Sequence, residues 1–292
     1  MKFIEPMLAC ALPERFSPQP GEWVAEEKFD GHRIISQVVD GRVKAWGRYG
    51  IERALPKQIR EALALLPNGT YDGELLVPGK RSYGVTVVED QHLLVYVVFD
   101  VLELLGRDLV AIKATWLERR AFLDEIFNRC FSPEHNEDSG CGSSACWKHA
   151  GQATSSPVYL STAWPVEGPL RIEELALEIW GRDGEGLVLK RTSATYQPGK
   201  RPKNTWLKVK KLQSATLTLK DFAAGKMGPH AVMVLEDAEG YTTSVKWKSL
   251  AELAAIDAGP AQFIGRKVVI EFQERTTDGG YRHPRFDRWE DR

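Results

Sequence analysis

The chain contains 292 residues, of which 43% are hydrophobic and 27% charged, so it can bury one large core or two smaller ones. A formal net charge of -1 excludes a protein that binds polyanions with its whole surface, so any nucleic-acid site must depend on local clusters of cations. No apolar stretch approaches the roughly 20 residues that span a bilayer, and four cysteines are too few for a disulfide framework, so we expect a cytoplasmic protein without a membrane partner.

Strand and helix patterns alternate over the first two thirds of the chain. Two apolar runs flank Asp40-Gly41, a dipeptide that favours a hairpin turn. Thr115 and Glu118 form the capping box that opens a helix. The predicted strands are 32–39, 42–46, 71–77, 93–104, 187–189 and 206–210, and the predicted helices are 57–66, 115–127 and 172–180. The pattern is that of an α+β fold.

After Lys211 the pattern changes to short β-rich segments. The predicted strands there are 215–222, 231–236, 241–247 and 267–273, with one helix over 250–256. Several short strands and one helix within about eighty residues favour a small, partly open barrel of the OB-fold type. A generic β-sandwich fits the strand count equally well. We therefore predict two domains, 1–211 and 212–292.

Three cysteines and a histidine lie in or beside a polar segment, 132–157, that has little periodicity. Cys130, Cys141, Cys146 and His149 are candidate zinc ligands. Their spacing lacks the paired short intervals typical of zinc sites, so an irregular surface loop is the favoured interpretation.

A lysine surrounded by charged residues, Lys28, is the strongest chemical signal in the chain. It lies in Glu26-Glu27-Lys28-Phe29-Asp30-Gly31-His32-Arg33. A lysine amine can attack phosphorus, and a nearby arginine can hold a phosphate. The alternative is a solvated charged turn, since Asp-Gly is common turn chemistry.

A basic stretch follows in the second half of the chain. Between Leu187 and Lys220 there is no Asp or Glu, whereas nine cations occur. They are Lys190, Arg191, Lys200, Arg201, Lys203, Lys208, Lys210, Lys211 and Lys220. Alternation along a strand places Lys208 and Lys210 on one face. The stretch predicts either phosphate contacts or a solvated face.

Seven segments, in this order, resemble the motifs of ATP-dependent DNA ligases in their minimal two-domain form, within the covalent nucleotidyltransferase superfamily. They are Pro6-Met7-Leu8-Ala9, Lys28-Phe29-Asp30-Gly31-His32-Arg33, Gly47-Arg48-Tyr49-Gly50, Asp72-Gly73-Glu74-Leu75, Phe99-Asp100, Glu185-Gly186-Leu187-Val188-Leu189-Lys190 and Trp206-Leu207-Lys208-Val209-Lys210. The resemblance implies a nucleotidyltransferase domain followed by a C-terminal OB-fold β-barrel. Gly47 departs from the serine usual in the family.

The resemblance also implies a three-step reaction on nicked duplex DNA by a monomer. Lys28 takes AMP from ATP, AMP passes to the 5′-phosphate, and the 3′-hydroxyl displaces it. ATP is the nucleotide, and Mg²⁺, with Mn²⁺ as a possible substitute, is the metal. Positioning and charge neutralisation supply most of the catalysis in such transfers.

The site residues are carried over from the family motifs. Glu74 contacts the ribose, Arg33 and Arg48 contact phosphates, and Glu185 with Glu74 holds the metal. Phe99 either stacks on adenine or is a core aromatic on a buried strand. The remaining nucleotide-binding candidates are Glu27, Lys190, Lys208, Lys210, Arg285 and Arg288.

The C-terminal sequence resembles the last family motif, whose basic groups orient the leaving pyrophosphate. It is one residue shorter than usual and ends in Arg292. An RNA ligase or an RNA-capping guanylyltransferase would share the lysine motif and is the second hypothesis. A non-catalytic OB-fold protein that binds nucleic acid is the third, although it would not need Lys28, Glu74 and Glu185 together.

Overall fold

The computed structural model describes residues 2–13, 15–80, 82–131, 156–246, 250–276 and 278–290. The chain divides into two compact units, Met1–Val209 and Lys210–Arg292. Each unit has its own hydrophobic core.

The first unit combines short and long strands with four helices in its described part. Its strands are β1 (Cys10–Ala11), β2 (Trp23–Glu27), β3 (His32–Val39), β4 (Arg42–Gly47), β5 (Gly69–Leu76), β6 (Val95–Leu104), β7 (Arg107–Asp108), β8 (Val158–Leu160), β9 (Ala163–Val166), β10 (Gly186–Arg191) and β11 (Trp206–Lys210). Its helices are α1 (Lys57–Leu63), α2 (Ser82–Val87), α3 (Trp116–Phe131) and α4 (Pro169–Gly181). The α+β prediction is therefore correct.

Two sheets organise this unit. One has the order β1-β11-β10-β2-β9, and the other has the order β4-β3-β5-β6-β7, with β8 pairing to β6. In the first sheet Leu187 of β10 pairs with Glu27 of β2, so the chain entering β10 lies beside the residue that follows β2. In the second sheet Arg33 pairs with Glu74. Segments far apart in sequence thus converge on the residues around Lys28.

The capping box at the start of α3 is confirmed. The Thr115 backbone N–H donates to Glu118 Oε2 at 2.7 Å, and the Glu118 N–H donates to Thr115 Oγ1 at 3.3 Å. The helix continues to Phe131, four residues beyond the predicted end, because Phe127 and Phe131 pack with their ring centroids 5.2 Å apart.

The described part of the second unit is an antiparallel sheet with one α-helix. Its strands are β12 (Gln213–Gly225), β13 (Gly228–Glu236), β14 (Thr242–Lys246), β15 (Lys267–Phe272) and β16 (Arg285–Trp289), and α5 (Leu250–Asp257) lies between β14 and β15 in the chain. The strand order is β14-β13-β12-β15-β16. Alternate residues of these strands point into a shared core, as Leu217, Met233 and Ile270 do on β12, β13 and β15. Phe286 and Trp289 of β16 complete this core.

Two negative observations apply to the described residues. Within them, no helix is long and apolar enough to cross a membrane. Cys130 is a free, half-buried thiol. The other zinc candidates, Cys141, Cys146 and His149, lie outside the described residues.

Candidate active site

Lys28 lies immediately after β2 and points to a carboxylate on the segment that enters β10. Its backbone N–H donates to the Gly186 carbonyl at 2.9 Å, and its Nζ lies 2.5 Å from Glu185 Oε2. The lysine side chain keeps 24% of its surface exposed. A pair that is partly exposed can both orient an amine and leave it accessible to a substrate.

Gly31 explains why the lysine motif needs a glycine at this position. A Cβ there would lie 2.3 Å from the Leu75 carbonyl oxygen of β5. Any other residue would force the chain between Lys28 and β3 away from β5. The glycine therefore allows Lys28 and Glu74 to share one cleft.

Arg33 is fixed by a buried network at the base of the cleft. Its Nε and Nη2 donate to the two oxygens of Asp72 at 2.5 and 2.6 Å. Tyr196 donates its hydroxyl to Asp72 Oδ2 at 2.6 Å and accepts from the Met7 N–H at 2.9 Å. Burial raises the pKa of the Tyr196 hydroxyl well above its usual value, and the Asp72 charge adds to that. Tyr196 is therefore a permanent hydrogen-bond donor to the carboxylate that holds Arg33.

Glu74 is the titrating group of the cleft. Burial raises the pKa of its carboxyl to about 7, although the positive charges of Arg33 and Lys28 act in the opposite direction. A carboxyl that changes charge near neutral pH beside a nucleophilic amine is a functional candidate.

These side chains line an open cleft of about 760 Å³. Its charged and titratable lining residues are Lys28, Asp30, His32, Arg33, Arg48, Arg53, Glu74 and Glu185. A smaller cavity of about 280 Å³ also borders Lys28 and is lined by Glu27 and Arg182, whose Nη2 donates to Glu27 Oε2 at 2.6 Å. The larger cleft has the size and the charges that a nucleotide requires.

Lys190 does not have the position expected for a phosphate ligand. Its side chain is 2% exposed, its Nζ lies 2.8 Å from Glu26 Oε1, and it donates to the Phe99 carbonyl at 2.9 Å. In the structure this cation neutralises the buried Glu26 carboxylate, which also accepts a hydrogen bond from Ser161 at 2.7 Å. An unpaired carboxylate at this depth would be costly. A phosphate contact by Lys190 stays a prediction.

Phe99 is a buried aromatic in this structure. It is 9% exposed, and the Arg33 guanidinium carbon and Lys190 Nζ lie 4.6 and 4.7 Å from its ring centroid. The position agrees with the core interpretation of this residue. Stacking of adenine on the ring face under Arg33 would require that guanidinium to move.

The remaining candidates belong to β11 and to the second unit. Lys208 and Lys210 follow Trp206 on one face of β11 and are half-buried. Arg285 and Arg288 belong to β16 in the second unit, with 54% and 61% of their side chains exposed.

Sequence reasoning missed several buried charges that support the site. Asp100 and Arg119 form a bidentate pair at 2.6 and 2.9 Å, with side chains 1% and 0% exposed. Arg119 precedes Leu123 by four residues on the buried face of α3, a spacing that could have marked it as a core charge. Asp72 shares a strand face with Glu74, which is a similar signal.

The carboxylates of the cleft suit a metal that is shared with a phosphate. The charge of Glu185 contributes to the raised pKa of Glu74, so these two groups are close enough to interact. Within the described ranges, no group of three or more His, Cys, Asp or Glu side chains is arranged to hold a metal. Mg²⁺ commonly takes one or two carboxylates and completes its shell with water and phosphate, so this donor set fits it.

Comparison with protein families gives a clear assignment. The family model described as "ATP dependent DNA ligase domain" matches residues 6–210. The chain therefore belongs to the ATP-dependent DNA ligase family, a class of enzymes whose reaction passes through lysine-bound AMP.

Relatives with known names agree with this family. The chain is 28% identical to the prophage-derived DNA ligase-like protein LigB of Bacillus subtilis over 71% of this chain and 67% of LigB. It is 24% identical to the multifunctional non-homologous end joining protein LigD of Mycolicibacterium smegmatis, over 94% of this chain. That match spans only 38% of LigD.

Solved structures support the fold. A Lig E DNA ligase, described as binding DNA with a minimal scaffold, superposes with a TM-score of 0.68 at 19% identity over 99% of this chain and 100% of its own. The ligase domain of Mycobacterium tuberculosis LigD gives a TM-score of 0.54 at 18% identity, over 97% and 93% of the two chains.

Proposed function

We propose that the chain seals nicks in duplex DNA through AMP bound to Lys28. The supporting observation is the Lys28 amine, held 2.5 Å from Glu185 in a cleft that also contains Glu74, Arg33 and Arg48. An amine, an adjacent carboxylate and several phosphate-binding cations are the groups that nucleotidyl transfer needs.

In the first step, Lys28 Nζ loses a proton and attacks the α-phosphorus of ATP. The nitrogen–phosphorus bond forms as the bond between the α-phosphorus and the bridging oxygen breaks, and pyrophosphate leaves with the electron pair. Glu185 is placed to orient the amine and to accept its proton. Glu74, when ionised, accepts a hydrogen bond from the ribose.

In the second and third steps, the 5′-phosphate of the nick takes AMP from Lys28, and the 3′-hydroxyl then displaces AMP. Arg33 and Arg48 hold phosphate oxygens, and Arg33 does so from the fixed position that Asp72 gives it. Glu185 and Glu74 would hold Mg²⁺, or Mn²⁺ in its place, which neutralises phosphate charge when bound. Lys208 and Lys210 add positive charge along β11.

We assign the second unit to an OB-fold and the first to the nucleotidyltransferase domain, with the hinge close to Lys211. Five antiparallel strands with one helix between the third and fourth support the OB-fold assignment. We propose that a monomer suffices, because one chain supplies the whole cleft.

The function is tested by incubating purified protein with ATP labelled at the α-phosphate and Mg²⁺. We expect an acid-labile protein–AMP adduct, and sealing of a singly nicked duplex. Labelled GTP tests the capping-enzyme alternative, and a nicked RNA duplex tests the RNA-ligase alternative. A protein that binds DNA but forms no adduct would be the non-catalytic binding protein instead.

Part of the basic stretch is expected to contact DNA phosphates. Lys200, Arg201 and Lys203 are exposed in the loop before β11. Changing all three to Gln should lower the slope of log affinity for nicked DNA against log salt by roughly 3, at about 0.9 per phosphate contact. The measurement is a binding titration at several salt concentrations.

The matched control changes Arg42, Lys57 and Arg107 to Gln, three exposed cations outside this loop. It should leave the slope close to that of the unmodified protein. Equal slopes for both triple variants would show that the loop does not contact DNA phosphates and is a solvated face.

The exposed arginines of β16 are expected to act when pyrophosphate leaves. Arg285→Gln and Arg288→Gln should slow self-adenylylation by about 10- to 100-fold. Each substitution removes from the protein a positive charge that would stabilise the leaving pyrophosphate. Sealing of a pre-adenylylated nick, which releases no pyrophosphate, should change much less. Substitution is preferable to truncation because Trp289 is 4% exposed in the core of this unit.

Lys226→Gln is the control for that pair, since Lys226 is also exposed in the second unit. Equal losses in both assays would contradict a role confined to the first step and indicate a contribution to DNA binding.

A further inference from the structure

The turn that follows β4 carries a second arginine into the cleft. The Gly47 N–H donates to the Ile51 carbonyl at 2.9 Å, and the Arg53 N–H donates to the Ala45 carbonyl at 2.8 Å. These bonds fold the chain back on itself and bring Arg48 and Arg53, five residues apart, to the wall of the same cleft.

The Arg53 side chain packs against Gly47 on the turn. An ideal Cβ on Gly47 would lie 3.5 Å from Arg53 Nε and 3.8 Å from Arg53 Cγ, which is ordinary van der Waals contact. The Arg53 guanidinium is therefore held close to the backbone of the residue that precedes Arg48.

The two arginines of the turn differ from Arg33 in how their charge is balanced. Arg33 is paired with Asp72. Arg48 and Arg53 make no ion pair within the described part of the chain, and the carboxylate of the same turn, Glu52, faces Lys44 at 3.5 Å. Two guanidinium groups on the wall of one cleft, neither of them in an ion pair within the described residues, favour the binding of an anion there.

The surroundings of the turn favour nucleic acid as the source of that anion. Tyr49 and Ile51 project from the same turn with 82% and 61% of their surface exposed. Exposed aromatic and basic side chains together are typical of surfaces that hold a sugar-phosphate backbone. Both arginines are exposed at the wall of the cleft, whereas Lys28 and Glu185 are more enclosed.

We propose that Arg53, together with Arg48, binds a phosphate of the DNA strand at the nick. Arg53 is then a substrate-binding residue in addition to Arg33 and Arg48, the two arginines assigned to phosphates from the sequence motifs. The proposal rests on the proposed ligase function, and it adds a residue to the DNA side of the same cleft.

The test compares Arg53→Gln with Arg42→Gln in two assays. Arg42 is an exposed arginine at the other end of β4, about 17 Å along the strand at 3.4 Å per residue. One assay measures self-adenylylation by ATP, and the other measures sealing of a pre-adenylylated nick as a function of DNA and salt concentration. Thermal melts confirm that both variants are folded.

We expect Arg53→Gln to raise the KM for the pre-adenylylated nick about tenfold and to lower its salt slope by about 0.9. Self-adenylylation should stay near the unmodified rate. Arg53→Lys should restore the salt slope, because it restores the positive charge. It should reverse only part of the increase in KM, because a lysine cannot make the bidentate contact of a guanidinium group.

The proposal is overturned if Arg53→Gln matches Arg42→Gln in both assays. It is also overturned if only self-adenylylation falls, because the phosphate bound would then belong to ATP. Failure of the ligase function itself has a different signature, since the unmodified protein would then form no adduct.

Discussion

Replacing Lys28 with Ala is expected to abolish formation of the protein–AMP adduct. The loss should be at least about 1000-fold, or roughly 4 kcal/mol of transition-state stabilisation, because among the described residues no other lysine amine is paired with Glu185 in the cleft. Labelled ATP followed by denaturing gel electrophoresis at neutral to alkaline pH measures the adduct. Binding of nicked DNA should survive, since Lys28 is one of several cations in the cleft.

Lys28→Arg provides the matched control for this experiment. The arginine preserves the ion pair with Glu185 but offers no amine that can attack phosphorus at neutral pH. Both variants should therefore lose the adduct, while Lys28→Arg keeps the stability of the unmodified protein. Adduct formation by Lys28→Arg at the unmodified rate would show that another residue is the nucleophile.

Replacing Glu74 with Gln is expected to change stability and activity in opposite directions. Burial raises the pKa of Glu74 to about 7, so the ionised carboxylate is destabilising in the folded chain. The neutral Glu74 carboxyl contributes its full stability when the pH is below the pKa that Glu74 has in the unfolded chain. That contribution is lost as the pH rises through the pKa of Glu74 in the folded chain. At pH 8, Glu74→Gln should therefore raise the free energy of unfolding by about 3 kcal/mol, a difference that disappears near pH 4.

The same substitution should lower self-adenylylation by about 10- to 100-fold, because a charge-assisted hydrogen bond to the ribose becomes neutral. In the unmodified protein the adenylylation rate should fall as the pH drops below about 7, where Glu74 becomes protonated. Urea unfolding and single-turnover rates across pH 5 to 9 measure both effects.

Glu52→Gln is the control, since Glu52 is exposed and lies on the surface turn after β4. It should change neither the unfolding energy nor the rate by much. A pH profile of adenylylation that is identical in Glu74→Gln and the unmodified protein would exclude Glu74 as the titrating group.

The sequence alone determined the elements with strong local signals. The Asp40-Gly41 hairpin and the capping box of α3 depend on interactions between near neighbours, so their residue patterns are sufficient. Strand β6 was predicted because it is a long, nearly continuous apolar run, which is itself a local pattern. The family assignment likewise followed from short motifs that recur in order. Elements without a local pattern, such as α2, β8 and β9, were missed because pairing and packing with distant segments stabilise them.

The tertiary structure decided which charged side chains serve the cleft and which serve the core. Lys190 and Arg33 are both basic residues of recognised motifs, yet Lys190 is paired with buried Glu26 while Arg33 reaches the cleft. That difference arises from which carboxylates the neighbouring strands bring within reach, and a single sequence does not encode such pairings locally. The raised pKa of Glu74 has the same origin, since burial by other segments produces it.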